Sequence, residues 1–77
     1  MNEQTTTALI TRPRLAGQLQ REGYKLTPMQ SPWEKDRTVW EITLDRVSAD
    51  IIANYYKRIG KPVPAVVARY LKRGESL

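Results

Sequence analysis

The 77-residue sequence contains no cysteine and no histidine. Without cysteine the chain can form neither a disulfide nor a thiolate nucleophile, and it cannot hold zinc through thiolates. Without histidine it lacks the side chain that most often serves as a general base near neutral pH. Small secreted domains usually need disulfides, so the missing cysteine indicates a reducing compartment, and we expect a cytoplasmic protein.

Long apolar runs and catalytic spacings are also missing. No stretch approaches the roughly 20 apolar residues of a membrane span, and residues 1–7 are polar, unlike a signal peptide. The four glycines are scattered and form no phosphate-binding loop, and no serine precedes a lysine by three residues. A carboxylate metal site is conceivable, although such acids usually face solvent. Its members would be Glu34, Asp36, Glu41 and Asp45. We therefore predict no enzyme activity, no cofactor and no metal.

The positive charge lies at the carboxyl-terminal end of the chain. The net charge is +5, yet residues 1–56 hold seven basic and seven acidic side chains. Residues 57–77 hold six basic side chains against Glu75 alone. The six are Lys57, Arg58, Lys61, Arg69, Lys72 and Arg73. This asymmetry predicts an anionic partner, whereas the alternative is a helix face that only keeps the domain soluble.

Apolar spacing and helix-ending residues predict three helices. The first covers residues 12–22, between a Thr11 cap and a left-handed Gly23. The third starts at Pro64 and closes at Gly74.

The second helix begins at a Ser48 cap and is ended near Ile59 by Gly60. Its apolar arc is wider than a surface helix needs. The members of the arc are Ile51, Ile52, Tyr55, Tyr56 and Ile59. Such an arc indicates either the central core helix, which we favour, or a helix that meets a partner.

Two strands are predicted between the first two helices. Residues 24–30 are extended, and Pro28 favours a place at the sheet edge. Residues 38–44 alternate in polarity, and residues 31–36 form the loop between the strands. The apolar face of the second strand is predicted to hold Trp40, Ile42 and Leu44.

These elements predict an α+β fold with the order α-β-β-α-α. An antiparallel hairpin with one apolar face needs helices packed against it. We expect one small domain over residues 9–74, a flexible segment at residues 1–8 and a tail at residues 75–77.

Aromatic residues are candidates for stacking or for anchoring a partner. Trp40 and Tyr55 occupy predicted core positions, so packing explains them. Trp33 lies in the hairpin loop, where it is either tucked over the hairpin or exposed as an anchor. Tyr56 is a second candidate anchor.

The second helix, a four-residue link and the third helix resemble a helix-turn-helix in spacing. Gly60 and Val66 fall at its turn and core positions, but Tyr56 occupies a position that needs a small residue. The exposed face of the third helix also offers no Asn, Gln, Ser or Thr to read base edges. Any nucleic-acid binding is therefore expected to use the phosphate backbone.

The chain resembles a family of small uncharacterised domains from phages and mobile elements of Gram-positive bacteria. The resemblance covers about residues 9–72. It is carried by Ile10 and Thr11, by Leu15, Ala16 and Leu19, by Gly23, Tyr24, Lys25 and Leu26, by the hairpin and by the helix with Tyr55. It transfers no functional residues, but it implies a phage or prophage accessory protein that binds nucleic acid or inhibits a host protein.

We thus expect a non-enzymatic accessory protein that binds nucleic acid through the six basic side chains. The alternative is a protein-binding module or inhibitor of an acidic host protein that processes nucleic acid, anchored by Trp33, Tyr56 and the same basic face. Self-association into a homodimer through the apolar arc of the second helix is a third hypothesis. No membrane partner is expected.

Overall fold

The computed structural model of the chain describes residues 6–75, with the side chains of residues 74 and 75 excepted. Within that range the elements are β1 (Thr7–Ile10), α1 (Pro13–Arg21), β2 (Thr27–Gln30), β3 (Thr38–Thr43), α2 (Arg46–Arg58) and α3 (Ala65–Glu75). The α+β class is confirmed, and the five predicted elements follow each other in the predicted order after the additional strand β1.

The elements fall into two compact units. The sheet unit comprises Thr7–Ile42, and the helical unit begins at Thr43 and includes Thr6. The Leu44 N–H donates to the Thr6 carbonyl oxygen at 2.8 Å. A single domain over residues 9–74 stays a prediction.

Strand β1 is the element that the sequence analysis missed. Ala8 and Ile10 alternate with more accessible neighbours and are buried, as in a strand with one covered face. The prediction of a flexible segment is therefore wrong for Thr7 and Ala8, and residues 1–5 of that segment lie outside the described residues. A four-residue strand carries little periodic signal, and β1 obtains its hydrogen bonds from β3, which is distant in sequence.

The sheet has the order β1-β3-β2, which places β2 at an edge, as Pro28 predicts. Strands β2 and β3 are antiparallel, with Pro28 opposite Trp40. The Ser31 N–H donates to the Arg37 carbonyl oxygen at 2.8 Å, so hydrogen-bonded positions alternate back along β2 from Ser31. Pro28 falls between them, and its nitrogen faces the open edge.

The buried residues of β3 differ from the prediction. Val39 and Ile42 are buried, whereas Trp40 is only half-buried. Because successive side chains point to opposite faces, two positions three apart lie on opposite faces of the strand. Each face of β3 therefore buries an apolar residue, and the assignment of Trp40 to the core is wrong. Leu44 is buried as predicted.

Helix α1 buries the predicted stripe of Leu15, Ala16 and Leu19. Its N-cap is Arg12, which makes no side-chain cap, so the Thr11 cap is wrong. At its other end Gly23 has φ 96°. The Tyr24 N–H donates to the Leu19 carbonyl oxygen at 3.1 Å, and the Gly23 N–H donates to that of Gln20 at 3.0 Å. This pair of bonds is a Schellman closure, which satisfies carbonyls that the helix end leaves open.

Helix α2 begins with a capping box, and the sequence analysis assigned the N-cap to the wrong residue. The Asp45 carboxylate accepts from the Ser48 N–H at 2.7 Å, and the Ser48 hydroxyl oxygen accepts from the Asp45 N–H at 2.8 Å. Ser48 is thus the third helical residue rather than the cap, and the helix starts at Arg46.

Helix α2 ends with the same closure as α1. Gly60 has φ 74°, and the Lys61 N–H donates to the Tyr56 carbonyl oxygen at 2.9 Å. Helix α3 follows and packs against α2. The Pro64 carbonyl accepts from the first turn of α3, which runs to Glu75 and past the predicted stop at Gly74.

The favoured core interpretation of α2 holds for one side of its arc, where Ile52 and Tyr56 are buried, whereas Ile51 and Tyr55 are half-buried. Ile52, Ala49 and Ala53 are buried, and so is Val67 of α3. Ile59, the C-cap residue of α2, is 38% exposed.

Replacing Asp45 with alanine should destabilise the chain by about 1 kcal/mol, because the Ser48 N–H loses its acceptor at the helix start. Urea unfolding of Asp45→Ala measures this effect. Asp50→Ala is the matched control, since Asp50 is exposed within the same helix and its loss should stay within about 0.5 kcal/mol. Equal destabilisation by both variants would contradict the capping role.

Two glycine-to-alanine variants should shift stability in opposite directions. Gly60→Ala should destabilise by about 1 kcal/mol, because alanine disfavours the positive φ at that position. Gly17→Ala, inside α1, should stabilise by about 0.5–1 kcal/mol, because the added Cβ meets no atom within 4 Å. Thermal unfolding of both proteins checks the pair, and a shift of the same sign in both is the contrary result.

Candidate functional site

The helical unit exposes all six predicted basic side chains. Lys57 and Arg58 lie in the last turn of α2, and Lys61 follows in the link to α3. Arg69, Lys72 and Arg73 lie on α3. Among the described residues, the first five of the six form no ion pair with an acidic side chain. Their charge is therefore available to a partner.

The three basic residues of α3 share one side of the helix. At 3.6 residues per turn, Arg69, Lys72 and Arg73 fall within an arc of about 100°. The arc lies opposite Val67, which is fully buried. Packing of α3 therefore directs these charges outward.

Four of the six charges also suit the ends of their own helices. Lys57 and Arg58 end α2, and Lys72 and Arg73 end α3. A cation in the last turn interacts favourably with the helix dipole, by about 0.3–1 kcal/mol. Lys61 and Arg69 lie outside these last turns and have no such local role.

The link between α2 and α3 differs from a helix-turn-helix. It spans residues 59–64, so the predicted four-residue link is wrong. A helix-turn-helix uses a turn of about three or four residues. The six-residue link thus departs from the spacing of a helix-turn-helix.

Tyr56 is not an exposed anchor, and that prediction is wrong. Its side chain is 9% exposed, and its ring meets the edge of Tyr55 at a centroid distance of 5.8 Å and an interplanar angle of 80°. Tyr56 shares the buried face of α2 with Ile52, four residues earlier. Burial on that face removes it from any partner surface.

Trp33 is exposed, which decides between its two predicted placements. Its side chain is 69% accessible, and it lies in the loop between β2 and β3. Tryptophan is enriched among the residues that dominate binding energy at protein interfaces.

Several hydrogen bonds hold the loop that carries Trp33. The Ser31 hydroxyl oxygen accepts from the N–H groups of Trp33 and Glu34, each at 3.1 Å. The Gln30 side-chain amide donates to the Lys35 carbonyl oxygen at 2.8 Å. An Arg37 Nε–Glu34 Oε2 ion pair at 3.2 Å is exposed and contributes little. The loop therefore presents the indole on a backbone that is largely fixed.

A cleft of about 500 Å³ lies in the same unit. It is lined by Thr11, Pro13, Asp36, Arg37, Thr38 and Trp40. The sequence analysis missed it because these residues come from two separate stretches of the chain. No sequence pattern indicates that these two stretches lie together.

The described part of the chain contains neither a metal-ligand cluster nor a membrane-spanning helix. There, no three His, Cys, Asp or Glu side chains come together as metal ligands, so the conceivable cluster at Glu34, Asp36, Glu41 and Asp45 does not form. Within residues 6–75, no helix has both the length and the apolar character needed to span a bilayer.

The chain matches no protein-family model, and neither curated proteins nor solved structures give a significant match.

Removing the Ser31 hydroxyl should loosen the loop around Trp33. In Ser31→Ala the Trp33 and Glu34 amides lose their acceptor, so their hydrogen exchange should accelerate by about tenfold. Thr27→Ala, an exposed hydroxyl in the same hairpin, is the control and should leave both rates unchanged. Unchanged exchange in Ser31→Ala would show that the hydroxyl does not hold the loop.

Proposed function

We propose that the chain is a non-enzymatic accessory protein that binds nucleic acid through its phosphate backbone. The observation that carries this proposal is the exposure of all six basic side chains on the helical unit, five of them without an acidic partner among the described residues. The resemblance to small phage and mobile-element domains supports an accessory role, and the absence of cysteine supports a cytoplasmic setting.

Charge supports a nucleic acid as the partner. Residues 57–73 contain six basic residues and no acidic residue. Like charges along this stretch repel one another until an anion binds. A polyphosphate backbone offers closely spaced anions. Each contact that neutralises a phosphate releases a counterion, which drives binding at low salt.

Side-chain chemistry limits the expected specificity. Arginine and lysine provide phosphate contacts, and α3 contains no Asn, Gln, Ser or Thr that reads a base edge. We expect affinities in the nonspecific range, with Kd of about 10⁻⁴–10⁻⁶ M at physiological salt.

The alternative partner is an acidic host protein that occupies the same basic face. That hypothesis loses Tyr56 as an anchor, because the side chain is buried. An acidic protein surface carries fewer regularly spaced charges than a nucleic acid. A pull-down from host lysate treated with nuclease distinguishes the two partners, because only a protein partner survives the nuclease.

Neutralising three of the basic residues should weaken nucleic-acid binding. In a Lys61→Gln, Arg69→Gln, Lys72→Gln variant, the slope of log Kobs against log salt for random duplex DNA should fall in magnitude by about 2.7, from about 0.9 per lost contact. Fluorescence anisotropy across a salt series measures the slope.

The matched control removes three exposed charges from the sheet unit. An Arg14→Gln, Arg21→Gln, Lys25→Gln variant has the same net charge as the test variant. It should keep the native slope, because those residues lie outside the proposed interface. Equal losses in both variants would indicate a general charge effect, and no binding of the native chain at low salt would rule the proposal out.

A further inference from the structure

We infer that the Trp33 loop and the cleft beside it form a self-complementary surface. In a two-fold dimer, Trp33 of one copy would enter the cleft of the second copy, and the reciprocal contact would form at the same time. The inference concerns the sheet unit alone and needs no nucleic acid, so it stands or falls separately from the proposed function.

The anchor is already organised in the single chain. Trp33 is 69% exposed, while Ser31 and Gln30 hold the loop backbone through side-chain hydrogen bonds. An anchor that is held before binding loses less conformational freedom on association. A large apolar ring kept in water on a fixed loop is the arrangement of an interface residue.

The cleft offers a fitting site for the indole. Its volume of about 500 Å³ lies within the range of about 300–1,000 Å³ typical of small-molecule pockets. Pro13 and Trp40 supply apolar surface, and the Asp36 carboxylate or a threonine hydroxyl can accept from the indole N–H.

Position and charge favour a second copy as the occupant. Asp36 and Arg37 belong to the Trp33 loop and also line the cleft, so the anchor and its site share one surface, as a two-fold contact requires. The loop carries two acids and two bases, so two loops can meet without net repulsion. These four are Glu34, Lys35, Asp36 and Arg37. Because the loop has no net charge, it does not attract a polyphosphate electrostatically.

Strand addition along the open edge of β2 is a less suitable route to a dimer. Pro28 faces the open edge of β2 and has no N–H to donate to an added strand. Side-chain insertion avoids this obstacle.

Sedimentation equilibrium of the full chain from low micromolar to near-millimolar concentration tests the inference. The native chain should associate to a dimer, and Trp33→Ala should weaken association by at least about 30-fold. Val47→Ala is the matched control, because Val47 is 58% exposed but lies on α2. It should associate like the native chain.

A mixing experiment tests the reciprocal contact. Thr38→Phe should block the cleft and leave Trp33 in place, while Trp33→Ala leaves the cleft open. Each variant alone lacks both contacts and should be monomeric. An equimolar mixture regains one contact and should associate more strongly than either variant alone.

Circular dichroism first establishes that each variant is folded, and Thr11→Phe replaces Thr38→Phe if the latter is not. A native chain that stays monomeric over the whole range overturns the inference. So does native-like association of Trp33→Ala, or a mixture that associates no more than its components.

Discussion

The left-handed turn at Gly60 determines where the basic residues of the helical unit lie. Its positive φ allows the Lys61 N–H to reach the Tyr56 carbonyl, which ends α2 just after Lys57 and Arg58. Lys61 follows immediately, and α3 starts five residues after the turn. α3 then packs on α2 through a buried Val67, which leaves Arg69 on the outward side. One backbone conformation thus links helix termination, packing and the exposed charge.

Local signals in the sequence predicted the features that depend on neighbouring residues. Gly23 and Gly60 mark helix ends because only glycine adopts their positive φ at little cost. Pro28 marks an edge strand because it cannot donate to a ladder. Strand β1 was not predicted, because its hydrogen-bonding partner β3 is distant in sequence. The N-cap at Asp45 was not predicted, because Ser48, three residues later, carries an equally good capping side chain. Ser48 forms the other half of the capping box.

The residues of the candidate sites likewise divide into those that local sequence predicts and those that depend on distant parts of the chain. Exposure of lysine and arginine is the default in a small domain, so counting charges was enough to find Lys61 and Arg69. The burial of Tyr56 depends on which face of α2 the core covers, and a wide apolar arc leaves that choice open. The exposure of Trp33 depends on the hydrogen bonds of Ser31, and the cleft depends on residues from two stretches of the chain. Neither leaves a periodic trace in the sequence.

The proposal that the helical unit binds the phosphate backbone of nucleic acid has one most direct test. Amide chemical shifts of the isotope-labelled chain are mapped during titration with a random DNA duplex. Binding through the basic residues predicts the largest shifts within residues 57–73, reversed by added salt. Shifts that concentrate in the Trp33 loop, or that persist at high salt, would contradict it.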